Sequence, residues 1–126
     1  MYWIWDNLGT CALTESCTPE GVVIVDVRDL LDNNKADLEA VKMRITLVQN
    51  LMSAGFKVCV RCIAGMSRSN LIACAAMTAF SFHDWDYCWD QVKKKCPRAN
   101  ENTGFIEVVK KALLESGVDR KRLYYE

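Results

Sequence analysis

The feature that most constrains the fold is an apolar strand pattern, followed by a helical stripe and then by a second strand pattern. Residues 21–27 (GVVIVDV) are β-branched and almost all apolar, which is typical of a strand covered on both faces. Residues 36–54 carry apolar side chains at steps of three and four, which predicts an amphipathic helix that ends at Gly55. Residues 56–60 (FKVCV) predict a second short strand. This order predicts parallel strands joined by a right-handed crossover.

The rest of the chain has the patterns of helices. Residues 69–80 are rich in Leu, Ile, Ala, Cys and Met with few charges, which predicts a helix buried against the sheet. A second helical stripe ends at Pro97 and consists of Trp85, Cys88, Trp89, Val92 and Cys96. A last helix is predicted from Thr103, a good N-cap, to Gly117. The fold class is therefore α/β, with a helical second half.

Length and charge narrow the classes of function. A chain of 126 residues buries about two-thirds of its unfolded surface, which suffices for one core, so we predict a single domain over residues 1–126. Sixteen Lys and Arg balance sixteen Asp and Glu, so we expect neither a nucleic-acid nor a membrane partner. No apolar run has the roughly 18 residues of a membrane span, and the first residues lack a secretory signal. We therefore expect a cytoplasmic protein.

The seven cysteines do not fit a disulfide scaffold. They are odd in number and lie in segments apolar enough to fold without bridges, so most are expected to be small buried side chains. Cys59 and Cys62 form a C-x-x-C pattern, but it lies on a predicted strand rather than at a helix start. Cys59 is therefore predicted to be a core residue, and a reversible bond between Cys59 and Cys62 under oxidation stays open.

The join between the second strand and the buried helix, residues 60–69 (VRCIAGMSRS), is the segment that indicates chemistry. In a strand–loop–helix setting the backbone N–H groups of the loop and of the helix start converge on one small volume, which suits a phosphate dianion. Arg68 can bind two of the oxygens with its fork of donors. Cys62 would lie at the floor of this cradle, where the same dipoles and Arg68 favour its thiolate over its thiol.

Two segments resemble a known family. Residues 57–69 (KVCVRCIAGMSRS) resemble the signature of the dual-specificity protein phosphatases, small members of the cysteine-dependent protein tyrosine phosphatase superfamily. Residues 96–106 (CPRANENTGFI) are similar to the family's second hallmark, a turn rich in Pro and Asn that enters the last helix. The resemblance runs from about residue 22 to residue 114. It implies one catalytic domain with a central, mainly parallel β-sheet flanked by α-helices.

The resemblance also implies roles for single residues. Cys62 would attack phosphorus and become a phosphocysteine, and the hydroxyl of Ser69 would hydrogen-bond the sulfur and ease its departure. The phosphoryl oxygens would be held by Arg68 and by the loop residues Ile63, Ala64, Gly65, Met66 and Ser67. No metal or other cofactor is expected, because Arg68 and the backbone dipoles supply the positive potential. The implied substrates are phosphorylated proteins.

The leaving oxygen of a phosphoserine or phosphothreonine needs a proton from a general acid. After the first predicted strand the chain offers two loop carboxylates, Asp29 and Asp32, since Asp26 lies within the strand and Asp37 falls in the first turn of the helix. In the family the acid lies slightly more than thirty residues before the nucleophile, just after a strand. Asp29 matches this best and is the predicted general acid, with Asp32 as the alternative.

The chain departs from the family pattern at one position. The family usually has His directly before the nucleophile, where it is thought to help organise the loop behind the sulfur, whereas this chain has Arg61. The Arg61 head either turns toward the sulfur and favours the thiolate, or points outward. The few residues before Asp29 leave little room for an element that deepens the site, so a shallow site open to phosphoserine, phosphothreonine and phosphotyrosine is expected.

Two alternatives to a protein phosphatase stay open. One is a catalytically silent module that keeps the cradle and binds phosphorylated partners, which the presence of Arg61 favours. The other is a phosphatase that acts on a phosphoinositide or an RNA 5′-phosphate, and the zero formal charge argues against both of these substrates.

Overall fold

The computed structural model describes residues 2–12, 20–63 and 67–124. These ranges contain four β-strands, four α-helices and a short 3-10 helix. The strands are β1 (Tyr2–Trp5), β2 (Leu8–Ala12), β3 (Val22–Asp26) and β4 (Lys57–Cys62). The helices are α1 (Leu38–Ser53), α2 (Arg68–Phe80), α3 (Trp85–Lys95) and α4 (Thr103–Glu115), with the 3-10 helix at Arg120–Arg122. Within these ranges, no helix combines the length and the apolar character that a membrane span requires.

The sheet has the strand order β1-β2-β4-β3. Strand β4 runs parallel to both of its neighbours, β2 and β3, while β1 pairs antiparallel with β2 at the edge. The β3–α1–β4 unit is the predicted parallel crossover, so the α/β class with a mainly parallel sheet is confirmed. Because β4 lies between two parallel strands, its carboxyl end at Cys62 opens onto the edge of the sheet where α/β proteins bind ligands.

Helix α1 forms where its apolar stripe was predicted. The side chains of the stripe that are buried are Val41, Ile45, Val48 and Met52. The Asp37 carboxylate caps the helix by accepting a hydrogen bond from the backbone N–H of Glu39. The chain turns back at Gly55, whose φ of 89° is in the left-handed region that glycine tolerates best. This turn directs the chain into β4.

The core lies between one face of the sheet and the helices. One buried cluster contains the middle of α2 together with Val25, Val58 and Val60 of the sheet. The same cluster includes two large buried side chains from the other helices, Trp85 of α3 and Phe105 of α4. The other three helices all contact α2. All six cysteines that lie in the described ranges are buried, as expected for small core side chains.

Helix α2 is also attached to the sheet by polar side chains. The buried hydroxyl of Thr10, on β2, donates a hydrogen bond to Oδ1 of Asn70 in the first turn of α2, at 2.9 Å. The Asn70 amide in turn lies 3.8 Å from the sulfur of Cys96, which follows α3. A buried hydrogen bond of this kind fixes the start of α2 relative to the strands.

The β1–β2 hairpin was not predicted. Strand β2 reads LGTCA and lacks the β-branched run that marks β3. Gly9 is required there, because a Cβ atom would lie 2.8 Å from the Tyr2 carbonyl oxygen and 2.9 Å from the Trp3 ring. The hairpin is therefore set by close packing of two strands, which is a tertiary feature.

Helix α4 begins differently from the prediction. Its N-cap is Asn102 rather than Thr103, since the Asn102 side chain accepts hydrogen bonds from the backbone N–H groups of Gly104 and Phe105. Gly104 lies directly against the loop that joins β3 to α1, and a Cβ atom there would lie 2.8 Å from the backbone nitrogen of Asn34. The start of α4 is thus packed on residues 27–37, called the β3–α1 loop below.

Candidate active site

Cys62 is the last residue of β4, and its side chain is buried. Its Sγ lies 3.3 Å from Oγ of the fully buried Ser69, within hydrogen-bonding distance. Ser69 is the second residue of α2, so the end of the strand and the start of the helix bring these two predicted site residues together. A hydroxyl in this place can donate a hydrogen bond to a thiolate.

The segment between β4 and α2, residues 63–67, is called the β4–α2 loop below. Ala64, Gly65 and Met66, three of the predicted phosphate-binding residues, lie outside the described residues. Ile63 is exposed and Ser67 is buried at the N-cap position of α2. The positive end of the α2 dipole faces this loop, which favours a bound anion.

Arg68 reaches from α2 to the β3–α1 loop. Its Nη1 donates hydrogen bonds to the backbone carbonyls of Arg28 at 2.6 Å and of Leu30 at 2.8 Å. Both contacts use one nitrogen of the guanidinium group, so the donors on Nε and Nη2 lie on the remaining edge of the fork. The β3–α1 loop therefore determines how the Arg68 side chain is oriented.

Asp32 is the carboxylate that contacts the β4–α2 loop. Its Oδ1 accepts a hydrogen bond from the Ser67 hydroxyl at 2.9 Å, and its backbone carbonyl accepts one from the Asn102 side-chain amide at 2.9 Å. The Ser67 side chain makes no cap hydrogen bond to α2. Asp32 is thus held between the start of α2 and the start of α4.

Asp29 lies in the same loop but is bound to α1. Both of its carboxylate oxygens accept hydrogen bonds from Arg44, each at 2.7 Å, while its side chain is 60% exposed. The hydrogen bonds from Arg44 hold the pKa of Asp29 below its usual value against the opposing effect of partial burial, and the charge of Arg68 acts in the same direction. Asp29 is therefore an ionised group at neutral pH in this arrangement. Whether Asp29 or Asp32 acts as the acid stays a prediction.

The Arg61 side chain points away from Cys62. Adjacent residues of a strand alternate between its two faces, and Arg61 pairs in register with Asp26 on β3. Its Nη2 lies 3.0 Å from Oδ2 of Asp26. Burial would raise the pKa of Asp26, but hydrogen bonds from the Arg28 backbone and from Arg61 hold it below its usual value. Of the two orientations expected for Arg61, the structure has the one directed away from the sulfur.

Cys59 is fully buried in β4, as predicted for a core residue. It lies three residues from Cys62, so the two side chains are on opposite faces of the strand, and their Cα atoms are about 10 Å apart. A disulfide requires Cα atoms within about 7 Å of each other. The geometry of β4 therefore does not allow a bond between Cys59 and Cys62.

Two residues that hold the site together were not identified from the sequence. Arg44 lies among the polar residues of α1, where nothing in the pattern distinguishes it from an ordinary surface Arg. Asn102 lies within the Pro- and Asn-rich turn, and an N-cap Asn directly before Thr103 was a signal that could have found it. Within the described ranges, no three His, Cys, Asp or Glu side chains are grouped so as to hold a metal ion.

Comparison with known proteins supports the fold. No family model and no curated protein matches the sequence. Among solved structures, human DUSP28 superposes with a TM-score of 0.78 at 16% identity, over 92% of this chain and 97% of that one. A mouse putative dual specificity phosphatase superposes with a TM-score of 0.67 at 20% identity, over 84% of this chain and 77% of that one.

A third similar structure is the human tyrosine phosphatase-like serine/threonine/tyrosine-interacting protein, with a TM-score of 0.60 at 21% identity, over 70% of this chain and 59% of that one. At such identities the comparison establishes the fold. The chain has the fold of the dual-specificity phosphatases, as the sequence resemblance implied.

Proposed function

We propose that this protein is a metal-independent phosphatase that hydrolyses phosphotyrosine, phosphoserine and phosphothreonine monoesters through a phosphocysteine on Cys62. The observation that carries the proposal is the position of the Cys62 sulfur, 3.3 Å from the Ser69 hydroxyl at the N-terminus of α2, with Arg68 as the first residue of that helix. A thiol in an anion cradle is the arrangement that this chemistry needs. The likeness to dual-specificity phosphatase structures supports it.

In the first step the Cys62 thiolate attacks phosphorus, and the bond between phosphorus and the ester oxygen breaks. The leaving oxygen takes a proton from a carboxylic acid of the β3–α1 loop. The Nε and Nη2 donors of Arg68 and the N–H groups of the β4–α2 loop bind the other phosphoryl oxygens. The contacts of Arg68 with the β3–α1 loop hold its side chain before the reaction begins, which is the condition for strong electrostatic stabilisation of the transition state.

For the general acid we favour Asp32 over Asp29. The acid must carry a proton in the first step and must reach the leaving oxygen. Asp32 contacts the β4–α2 loop through Ser67, whereas the ion pair with Arg44 keeps Asp29 ionised and directed at α1. Asp29, the residue favoured by spacing, stays the alternative.

In the second step water attacks the phosphocysteine, and the carboxylate formed in the first step accepts the proton of this water. The bond between sulfur and phosphorus breaks, inorganic phosphate leaves, and the thiolate is restored. Oγ of Ser69 lies 3.3 Å from the Cys62 sulfur, so when the sulfur leaves phosphorus as a thiolate the hydroxyl can donate a hydrogen bond to it and stabilise its negative charge. This step needs no metal ion or other cofactor.

The proposed substrates are phosphorylated proteins of the cytoplasm. The formal charge of zero supports this choice, since nucleic acids and phosphoinositide membranes are bound mainly through an excess of basic residues.

The test is hydrolysis of p-nitrophenyl phosphate, a phosphotyrosine peptide and a phosphoserine peptide in the presence of EDTA. The parent protein should turn over all three, and Cys62→Ser should turn over none while it still binds inorganic phosphate. The reason is that a serine hydroxyl keeps the shape of the loop but stays protonated at neutral pH. Undiminished hydrolysis by Cys62→Ser would overturn the proposal, and a parent protein that binds phosphate without turnover would establish the silent module instead.

A further inference from the structure

The ion pair between Asp29 and Arg44 has no part in the two chemical steps. Arg44 donates two hydrogen bonds of 2.7 Å to the Asp29 carboxylate and a third, of 2.6 Å, to the backbone carbonyl of Asp26. Its side chain is only 26% exposed. Bidentate contacts between Arg and a carboxylate are among the strongest and most directional of protein hydrogen bonds. One guanidinium group thus attaches both the end of β3 and the following turn to α1.

This attachment lies next to the atoms that orient Arg68. The two carbonyls that accept hydrogen bonds from Arg68 belong to Arg28 and Leu30, the residues on either side of Asp29. The turn is therefore held by Arg44 from α1 and by Arg68 from α2. If the contact with α1 were lost, the turn would lose one of these two attachments, and a shift of its carbonyls would change the orientation of the Arg68 fork.

We propose that Arg44 is a positioning residue, which acts through its ion pair with Asp29 to place the backbone carbonyls that orient Arg68 toward a phosphoryl group. The inference rests on the proposed function and deepens it. Arg44 itself touches no reacting atom. Misplacement of a preorganised donor by about 1 Å is enough to affect catalysis strongly, so a residue two contacts away can control phosphate affinity.

The ion pair is present throughout the range of an enzyme assay. Hydrogen bonds from Arg44 hold the pKa of Asp29 below its usual value, so the carboxylate is charged at every pH above about 5. The surface around Arg44 also offers a matched control. Lys42 lies on the same helix and pairs with Glu39 and Glu115, so its ion pairs are distinct from the pair that Arg44 makes with Asp29.

The experiment compares Arg44→Gln, Asp29→Asn, the double variant and Lys42→Gln. The quantity measured is the affinity for inorganic phosphate, as the Ki against p-nitrophenyl phosphate hydrolysis and as the Kd by direct titration. Both single variants should bind phosphate about tenfold more weakly, the effect of misplacing one charged hydrogen bond. The double variant should be no weaker than either single variant, because both changes break the same pair. Lys42→Gln should match the parent protein.

A merely structural role would lower the unfolding temperature or the active fraction without changing Ki or Kd. Phosphate affinity within twofold of the parent in both single variants would overturn the inference. So would faster hydrolysis of the phosphoserine peptide by Arg44→Gln, because that result would mean that Arg44 restrains Asp29 as the acid. If Arg44→Gln does not fold, Arg44→Lys keeps the charge without the fork and should show the same loss of affinity.

Failure of the proposed function would be seen separately, as absence of turnover by the parent protein. The Kd for inorganic phosphate can still be measured in that case, so the role of Arg44 is tested whether or not the protein is an active phosphatase.

Discussion

The described residues on the two sides of the candidate site are held in place in different ways. On the β4–α2 side, Cys62, Arg68 and Ser69 lie within eight residues, and the strand before them and the helix after them determine their positions. The β3–α1 loop is held from outside, by Arg44 of α1, by Arg68 of α2 and by the cap residue Asn102 of α4. The proposed nucleophile, Cys62, is therefore placed by local structure, and the proposed acid, Asp32, is placed by tertiary contacts.

The largest effect on catalysis in this comparison is expected at Arg68, which begins α2 and also contacts the β3–α1 loop. Arg68→Lys keeps a positive charge but loses the two-pronged geometry with which Arg binds a phosphoryl group. We expect kcat/KM for p-nitrophenyl phosphate to fall by about 10³ to 10⁵, the contribution of an arginine that stabilises phosphoryl transfer. Arg28→Lys is the matched control, since only its backbone carbonyl contacts Arg68, and it should stay close to the parent. Near-normal kinetics of Arg68→Lys would contradict the assignment of Arg68 as the residue that binds the phosphoryl oxygens.

The next largest effect is expected at Asp32, the proposed general acid. Asp32→Asn should lower kcat for the phosphoserine peptide by about 10² to 10⁴, because the alkoxide then leaves without a proton. It should change kcat for p-nitrophenyl phosphate much less, since that phenolate leaves unaided, and it should flatten the basic side of the pH profile. The ratio of the two rates is the measurement, and the activated substrate is the internal control. If Asp29→Asn loses the phosphoserine activity and Asp32→Asn does not, the acid is Asp29.

The smallest effect is expected at the cap of α4. Asn102→Ala removes the N-cap and the hydrogen bond to the Asp32 carbonyl, so the free energy of unfolding should fall by about 1 kcal/mol in a urea titration. The phosphoserine rate should fall more than the p-nitrophenyl phosphate rate, because Asp32 loses one of its anchors. Asp84→Ala removes the comparable cap of α3, where Asp84 accepts a hydrogen bond from the Tyr87 backbone N–H. Asp84→Ala should lower the free energy of unfolding by a similar amount and leave the ratio of the phosphoserine and p-nitrophenyl phosphate rates unchanged. If this ratio changes equally in both variants, the Asn102 contact does not position the proposed acid.

Much of this architecture could be predicted because its causes are local. The β-branched run of β3 and the apolar stripe of α1 determine an alternation of strand and helix that allows few topologies. The proposed site residues Cys62, Arg68 and Ser69 all lie on one strand–loop–helix segment, so their proximity follows from the secondary structure. The β1–β2 hairpin could not be predicted in this way, since the sequence of β2 is poor in strand-forming residues and Gly9 is explained only by the strand beside it.

Local sequence patterns alone were thus enough to predict the α/β class and to place Cys62 at the end of a strand, just before the helix that Arg68 begins. The different contacts of Asp29 and Asp32 are visible in the tertiary structure and not in the sequence, where both residues suit the same loop by spacing. One carboxylate meets Arg44 and the other meets Ser67, and each of these contacts joins residues that are far apart along the chain. The orientation of Arg61 was decided in the same way, by its register with Asp26. The protonation and direction of a side chain depend on which charges and donors the fold brings beside it, and no local pattern contains that information.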